Sequence, residues 1–537
     1  MEIILIYVAF IILISVILNR FSDKVGIPAL LLFIILGLIF GEEGIFKIPF
    51  DDYKLVSDIN TIALVFIMFY GGFGTNWDMA KPVALHAILM STLGTIITAL
   101  TTGAFVYYVL HFSFLEAMLM GSVIASTDAA SVFSILRSKK LNLKYNTASL
   151  LELESGSNDP TSYMLTMIVL AMMKGNASKA MIAKMFFSQM FFGLTFGLLI
   201  AYVALFVLRK FDFTTNGFDA VFVISIALFS FALPEALGGN GYLSAYVVGL
   251  ILGNNTFKNK IELVHFFNGV TGLMQVIIFF LLGLLALPSM IPAVFLKACL
   301  IMLFLTFIAR PLATLILMGP LRSDPKQMTI VAWSGLRGAA SIVFAIMASI
   351  DGVYLENDIY HIVFAIVLMS ILIQGSLIPV FSKKLNMIDD KVDVLKTFND
   401  YSEEVEVDFI QLKIDRDHLW FNMMIKDINL PPGILAVSII RGKNNIAPRG
   451  NTILKEDDQL ILSALSADLD AEISLTEIDV TEHEEYVGST ISQLDISEDR
   501  LVIMIKREDE TIIPDGNTII EKNDIIVLNH DFNYTYD

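Results

Sequence analysis

The stretch LELESGSNDPTSYML, residues 151–165, places carboxylates where burial is hard to avoid. Glu154 and Asp159 lie five positions apart, Asn158 precedes the second acid, and apolar sequence flanks the stretch on both sides. A charged side chain at the centre of a bilayer costs at least about 2.5–3.5 kcal/mol unless it faces water or a partner. If this segment crosses a membrane, these acids are candidates for function.

The composition predicts a polytopic membrane protein. Of 537 residues, 55% are hydrophobic and 17% are charged, and the mean hydropathy is +0.70, a balance too apolar for a soluble chain of this size. The single cysteine, Cys299, excludes an internal disulfide and a Cys-based metal site. Residues 1–20 lack a basic start and a cleavage site, so we expect a retained first span.

The charge distribution divides the chain near residue 385. Residues 386–537 carry 33 acidic and 13 basic residues, whereas residues 1–385 carry 21 acidic and 23 basic ones. We therefore expect a transmembrane domain over 1–385, a linker over 386–404 and an acidic cytoplasmic tail. The negative charge of the tail argues against a nucleic acid polymer or anionic lipid as its partner.

The hydropathy pattern predicts an all-α membrane domain of about thirteen transmembrane helices. A helix needs about 20 apolar residues to cross the bilayer core, and such stretches lie near residues 2–18, 28–40, 59–74, 83–112, 115–136, 146–172, 185–208, 218–234, 241–253, 262–287, 293–318, 328–349 and 359–381. Lysines and arginines in the odd-numbered loops and at the start of the tail outnumber those in the even-numbered loops by fifteen to five. The positive-inside bias then predicts an external N-terminus and a cytoplasmic C-terminus.

Two acids come to a similar depth in neighbouring spans that run in opposite directions. Asp128, in GSVIASTDAASVF, lies about midway along the fifth span, and Asp159 lies about midway along the sixth. A structural hydrogen bond or ion pair between helices is the alternative to a functional role. Two such acids would need two partners, and intramembrane acids are functional candidates by default.

Oxygen-bearing side chains surround Asp159 at helical spacing. Glu154 with Asn158, and Ser155 with Asp159, are i,i+4 pairs on adjacent stripes of one helix. Thr127 adds a hydroxyl from the fifth span. Hard oxygen donors of this kind suit an alkali cation or a proton, and the cluster holds no histidine or cysteine that would favour zinc.

Two arginines lie deep within predicted spans. Arg310 is always charged and must meet an acid; Glu154 is the natural partner, as a structural brace or as part of a ligand pair. Arg337 lies in SGLRGAAS, whose last three residues match those of TDAAS at 127–131 at an offset of 210. Matching polar interruptions in opposed spans are typical of inverted repeats with two broken crossing helices. Asp128 could then compensate the positive half-helix ends and Arg337 the negative ends.

These motifs closely resemble the monovalent cation:proton antiporter-1 family, of the NhaP and sodium/proton-exchanger kind. The resemblance rests on ASTDAAS, ESGSNDP, FIARPLA and SGLRGAAS and covers about 1–385. It implies a homodimer of thirteen-helix protomers in a prokaryotic cell membrane. Its activity would be electroneutral one-for-one exchange of a cation for a proton by alternating access, with no enzymatic reaction and no cofactor.

The resemblance also implies residue roles. Asp159 would bind the cation or the proton in turn, with Asp128 as a further ligand of the alkali cation. The remaining members of the site would be Thr127, Ser155, Glu154 and Asn158. Arg310 would bridge to Glu154, and Arg337 would stabilise the crossing helices. Where the family usually has a proline or another small residue after the Thr-Asp pair, Ala129 stands here.

The tail contains two copies of one module. Residues 409–465 and 475–531 repeat at a constant offset of 66 without gaps, and the segments 435–462 and 501–528 share the Gly-Asn-Thr of 450–452 and 516–518. Apolar residues alternate between turn signals, so we expect small α+β domains over 405–467 and 468–537.

Each module resembles the TrkA-C, or RCK-C, regulatory domain of potassium transport proteins. Such modules dimerise, and some bind a small ligand such as cyclic di-AMP, so a regulatory nucleotide is one possible ligand. Arg441 and Arg507 are the candidate phosphate contacts. A module that serves only assembly is the alternative. No Gly-x-Gly-x-x-Gly fingerprint accompanies the modules.

Other functions for this pattern have specific requirements. A ligand-gated potassium channel should show a filter sequence such as T-V-G-Y-G, which is absent. A membrane aspartyl protease would use two intramembrane acids but would need neither Arg310 nor Arg337. The potassium-linked tail favours K⁺ over Na⁺ as the transported ion.

Overall fold

A computed structural model describes residues 2–25, 28–128, 131–132, 135–136, 141–175, 178–211, 217–389, 407–416, 418–431, 433–442, 444–465, 474–480, 486–494, 502–507, 510–512 and 514–530. The chain forms two compact units, Met1–Glu403 and Glu404–Asp537. Ala129 and most of the predicted linker lie outside the described residues.

The first unit is helical. Its segments are α1 (Glu2–Val25), α2 (Ala29–Phe40), α3 (Tyr53–Gly74), α4 (Trp77–Leu110), α5 (Phe114–Val123), α6 (Thr147–Met173), α7 (Lys179–Lys210), α8 (Phe218–Ala236), α9 (Gly241–Gly253), α10 (Lys260–Leu285), α11 (Pro288–Met318), α12 (Pro325–Trp333), α13 (Ala339–Ile350) and α14 (Ile359–Lys384). Among the described residues, seven helices are long and apolar enough to cross a membrane: α3, α4, α7, α8, α10, α11 and α14. The segments α2, α5, α9 and α13 are shorter apolar helices. The number thirteen stays a prediction.

The outward faces of the helices are apolar, as expected for helices in lipid. On α7, Phe187, Phe191 and Phe206 are each more than half exposed. Small residues let helices approach closely inside the unit. At Gly249 of α9 a side chain would overlap the Phe69 carbonyl of α3, so these two helices pack backbone to backbone.

Two segments are interrupted, and their interruptions cross. The helix α5 ends at Val123, and α12 ends at Trp333 before α13 begins at Ala339. The Asp128 amide donates a hydrogen bond of 2.8 Å to the Leu336 carbonyl. The Ser126 and Ser341 hydroxyls lie 3.3 Å apart, within hydrogen-bonding distance. The two breaks are thus joined directly through backbone and side chain.

In the described part of the chain, three helices contain a π-helical turn, an irregularity often found at functional sites. These turns span Met90–Gly94 in α4, Leu305–Ala309 in α11 and Ser370–Gly375 in α14. The turn in α11 directly precedes Arg310. The turn in α14 contains Ser370, whose hydroxyl accepts a 3.0 Å hydrogen bond from the Arg337 amide.

The tail unit contains two four-stranded antiparallel sheets of the same topology. The strands are β1 (Val407–Ile414), β2 (Leu435–Arg441), β3 (Asn444–Ile446), β4 (Asp458–Leu465), β5 (Ser474–Asp479), β6 (Val502–Arg507), β7 (Glu510–Ile512) and β8 (Ile525–His530). The strand orders are β1-β4-β2-β3 and β5-β8-β6-β7. Each sheet has a register shift at the matching place, Ala436/Ser438 and Val502/Met504. The helical content among the described tail residues is limited to short 3₁₀ turns, such as Ile425–Asp427 and Ile491–Gln493.

Candidate functional site

The helix α6 carries the predicted cluster in its first half. Glu154, Ser155, Asn158 and Asp159 are all buried, each no more than 6% exposed. Pro160 has no backbone N–H, so the Gly156 carbonyl lacks its usual i+4 donor. The polar stretch is thus helical, and the oxygen atoms of its side chains lie inside the protein.

Asn158 links α6 to the interruption after α5. Its amide Nδ2 donates to the Thr127 hydroxyl at 2.6 Å, and its Oδ1 accepts from the Thr127 backbone N–H at 3.2 Å. The Thr127 hydroxyl also lies 2.8 Å from the Ser155 hydroxyl. These bonds fix the non-helical residues beside Asp159.

Asp128 lies between the ends of two helical segments. Its carboxylate accepts hydrogen bonds from the Ser131 hydroxyl at 2.5 Å and the Ser131 amide at 3.3 Å. It also lies against Gly338, the residue before α13, so closely that a side chain at Gly338 would overlap it. A negative group is stabilised at a helix N-terminus; the compensating role of Asp128 stays a prediction.

Arg337 lies at the opposite end of the contact between the two interruptions, where backbone carbonyls are exposed to it. Its Nη1 donates to the Ala125 carbonyl at 2.8 Å and to the Ser126 carbonyl at 2.5 Å. These carbonyls follow the C-terminal end of α5, where a cation is stabilised. Arg337 is 1% exposed, so the guanidinium bridges the two interruptions from within.

Arg310 and Glu154 form a buried ion pair. Arg310 Nη1 donates to Glu154 Oε1 at 2.6 Å, and Nη2 donates to the Val331 carbonyl at 3.2 Å. Both side chains are almost fully buried. The pair joins α6 to α11, and Glu154 is not among the residues that line the cavity described next. Its position is that of the brace predicted as one of two possibilities.

A cavity of about 230 Å³ lies beside Asp159. From the predicted set, Thr127, Asp128 and Asp159 line it. Asp159 is 6% exposed, and among the described residues its Oδ1 has no hydrogen-bond partner. A carboxylate oxygen in this state can accept a proton or coordinate a cation. Ser155 and Asn158 stand behind it and hold Thr127.

Helix α3 and helix α10 form the opposite walls of the cavity. Tyr70 and Gly71 contribute from the second half of α3. Asn268, Thr271 and Gln275 contribute polar side chains from α10. These residues could not be predicted from the sequence, because polar residues scattered along apolar helices form no motif.

Glu152 also lines the cavity, and the sequence analysis missed it. It is 4% exposed and precedes Asp159 by seven residues. Seven residues make almost two full helical turns, so the two acids share one face of α6. That spacing was the signal that could have identified Glu152.

On the other side of Asp159 along α6, aromatic rings fill the space. The Tyr163 ring packs against Tyr242 at 5.0 Å and Phe344 at 5.8 Å between centroids. The Tyr163 hydroxyl donates to Glu235 Oε1 at 2.6 Å. All three rings are buried. The packing around Asp159 is therefore asymmetric, with a cavity toward one end of α6 and an aromatic cluster toward the other.

In the tail, the two candidate arginines make the same ion pair in each module. Arg441 donates through Nε and Nη2 to both oxygens of Asp458, each at 2.7 Å. Arg507 does the same to Asp524 at 2.9 and 2.8 Å. Each arginine thus has a structural partner, and phosphate binding by either stays a prediction.

In each tail ion pair, the arginine lowers the pKa of the buried aspartate. Burial by itself would raise the pKa of Asp458, but hydrogen bonds from Arg441 and the Lys455 amide outweigh it and lower the pKa. The pKa of Asp524 is lowered in the same way, by Arg507 and the Glu521 amide acting against burial. Both carboxylates therefore stay ionised at neutral pH.

Comparisons with known proteins agree with this architecture. The family described as sodium/hydrogen exchanger, transmembrane, matches residues 8–384. The TrkA-C domain matches residues 409–471 and 475–528.

Several relatives have established names. The K(+)/H(+) antiporter NhaP of Alkalimonas amylolytica is 29% identical over 461 residues, which cover 85% of this chain and 80% of that protein. The K(+)/H(+) antiporter NhaP2 of Shewanella sp. (strain MR-4) is 29% identical over the same shares of the two chains. The Na(+)/H(+) antiporter ApNhaP of Aphanothece halophytica is 25% identical over 391 residues, covering 68% of this chain and 71% of that one.

A solved structure shares the fold. The sodium proton antiporter MjNhaP1 from Methanocaldococcus jannaschii superposes with a TM-score of 0.62 at 23% identity, over 70% of this chain and 100% of that chain. Because the exchanger family spans well over half of the sequence, the chain belongs to the sodium/hydrogen exchanger family, whose members are secondary transporters rather than enzymes, and it carries two TrkA-C domains.

Proposed function

We propose that this protein is an electroneutral antiporter that exchanges K⁺, in preference to Na⁺, for H⁺ across a prokaryotic cell membrane. The observation that supports this most directly is the Asp159 carboxylate, which faces a cavity with one oxygen free of hydrogen bonds among the described residues. A deprotonated carboxylate can coordinate an alkali cation, and a protonated one cannot. Cation and proton therefore compete for the same group.

Competition at one carboxylate accounts for coupling. If the protein changes its open side only with Asp159 occupied, each cation that leaves must be replaced by a proton, and the exchange is one for one. Asp128 and Thr127 supply further oxygen atoms around the cation, and Ser155 supports the site through its contact with the Thr127 hydroxyl. Asn158 orders the site through Thr127, and the Glu154–Arg310 pair braces α6.

The asymmetry around Asp159 corresponds to an inward-open state. In the predicted topology, the second half of α3 and the first halves of α6 and α10 lie on the cytoplasmic side. Besides residues of the two interruptions, the cavity is lined by the second half of α3, the first half of α6 and the first two-thirds of α10. The aromatic cluster around Tyr163 then closes the external side. Alternating access would open this cluster and close the cavity.

The choice of K⁺ rests on the tail and on the relatives. The TrkA-C modules resemble those of potassium transport proteins, and the Alkalimonas and Shewanella relatives are named K(+)/H(+) antiporters. We assign regulation of the exchange to the tail, with a small nucleotide such as cyclic di-AMP as a ligand class to test. The active form would be a homodimer through the membrane domain and the tail, with the tail in the cytoplasm.

Transport by purified protein in liposomes tests the proposal. We expect K⁺ salts to dissipate an imposed pH gradient at lower concentrations than Na⁺ salts, at a rate insensitive to an imposed membrane potential. Asp159→Asn should abolish exchange. Asp351→Asn, which removes a carboxylate beyond the end of α13, is the control and should retain it. Exchange sustained by Asp159→Asn refutes the assigned role, and a potential-driven K⁺ current without proton exchange would favour a channel.

A further inference from the structure

Glu152 is a second carboxylate in the ion cavity that the proposed mechanism does not use. The helix α6 turns by about 100° per residue, so Glu152 and Glu154, two residues apart, face nearly opposite directions. Glu154 points to Arg310 and is held in the ion pair. Glu152 instead lines the cavity with Asp159 and Asp128.

Glu152 lies closer than Asp159 to the N-terminal end of α6. It lies five residues after the first residue of α6, whereas Asp159 lies twelve residues after it. At a rise of 1.5 Å per residue, the two positions are separated by about 10 Å along the helix axis. A cation that moves through the cavity toward Asp159 from the N-terminal end of α6 therefore passes Glu152 first.

A second feature of the same cavity indicates that it receives a ligand. The Oδ1 of Asp159, on a side chain that is 94% buried, has no hydrogen-bond partner among the described residues and faces this space. Tyr70, Asn268 and Gln275 add polar groups along the walls. A negative charge in a narrow, low-dielectric cleft raises the local concentration of cations.

We infer that Glu152 is a vestibule carboxylate, which holds an incoming monovalent cation about two helical turns before Asp159 and sets the apparent affinity for that cation. The inference rests on the proposed exchange at Asp159. Glu152 does not carry the exchanged proton, so its removal should change cation capture and leave the turnover step intact.

The experiment measures K⁺/H⁺ exchange in liposomes as a function of K⁺ concentration, with full-length protein. For Glu152→Gln we expect the KM for K⁺ to rise roughly tenfold, the lower end of the range expected for charge focusing in a cleft, with the maximum rate within about twofold of the native value. Added N-methylglucamine chloride should change this difference little, because Glu152 is almost fully buried and buried charges are screened much less than exposed ones. A purely structural defect would lower the maximum rate as well.

Matched variants separate the possible results. Glu262→Gln removes an exposed carboxylate from the first turn of α10 and should leave the KM unchanged. Glu152→Asp, which withdraws the charge by one methylene, should give an intermediate KM and replaces Glu152→Gln if that variant is not recovered folded. An unchanged KM in both Glu152 variants, or a lost maximum rate with an unchanged KM, overturns the inference. Retained exchange in Asp159→Asn would instead refute the proposed function itself.

Discussion

Asn158 and Thr127 are joined by two hydrogen bonds, one to the backbone N–H of Thr127 and one to its hydroxyl. Asn158 belongs to a helix, whereas Thr127 belongs to a break in another segment, where regular backbone bonding is interrupted. The asparagine side chain therefore accepts a hydrogen bond from a backbone N–H that a continuous helix would have bonded internally. It also turns the Thr127 hydroxyl toward Ser155.

Removing this amide should disorder the site without removing the Asp159 carboxylate, which we propose to bind the ion. In Asn158→Ala the buried Thr127 N–H loses its acceptor, at a cost of about 1–3 kcal/mol. We expect lower stability and a higher KM for the cation, measured by thermal unfolding in detergent and by transport. Ser157→Ala is the matched control, because among the described residues the Ser157 hydroxyl donates hydrogen bonds only to carbonyls of its own helix. Equal effects of the two substitutions would contradict the role of Asn158.

The Arg310–Glu154 pair predicts a strong stability effect with a specific rescue. Removing one partner of a buried ion pair costs about 3–5 kcal/mol, because the other charge stays buried and uncompensated. Arg310→Met should therefore lower the unfolding temperature substantially, and the double variant Arg310→Met/Glu154→Gln should recover most of the loss. The exposed Lys326→Met serves as the control. A double variant less stable than the single one would argue against the brace.

Because Gly338 lies against Asp128, we expect a methyl group added at Gly338 to impair transport. In Gly338→Ala the added carbon would overlap the Asp128 carboxylate, and Asp128 would have to leave its place beside α13. We expect at least a tenfold loss of transport with the protein still folded. The control is Gly269→Ala on α10, where a side chain would meet nothing within 4 Å. That helical substitution should stabilise the protein by up to about 1 kcal/mol.

The paired arginines of the tail predict a pH-dependent stability. The pKa of Asp458 is lowered in the folded state, so its ion pair stabilises the fold above the unfolded pKa of about 3.9, and this stabilisation is lost as the pH falls through the lower folded value. Arg441→Met should reduce the hydrogen-exchange protection of β4 at neutral pH. The difference from the native protein should disappear in acid. Arg449→Met, at an exposed position, should change nothing.

The site was predicted from local spacing; the structure brings its residues together, and their roles in ion binding stay predictions. The i,i+4 relation of Ser155 and Asp159 gave the adjacent stripes, and the need of Arg310 for an acid predicted its partner Glu154, which the structure places at 2.6 Å. Glu152 shows the limit of the same method. Its seven-residue spacing from Asp159 places it on the same face of α6, but only the placement of α3 and α10 shows that this face borders a cavity.

In the tail, the offset of 66 predicted a duplication, and the two sheets have the same strand order. It did not predict what Arg441 and Arg507 contact. A basic residue at the end of a strand can face solvent, a ligand or an acid from a distant turn. The choice depends on Asp458 and Asp524, which lie seventeen residues farther along the chain and reach the arginines only when the sheet closes.

A backbone hydrogen bond from Asp128 to Leu336 and a contact between the Ser126 and Ser341 hydroxyls tie the two interrupted segments together. Neither broken segment can slide past the other without rupturing these ties. We therefore expect a shift that presents Asp159 to the opposite solution to move both segments together. The bound cation would then keep the same distances to its surrounding oxygen atoms during the shift. The preference among cations of different radius would therefore be the same on both sides of the membrane.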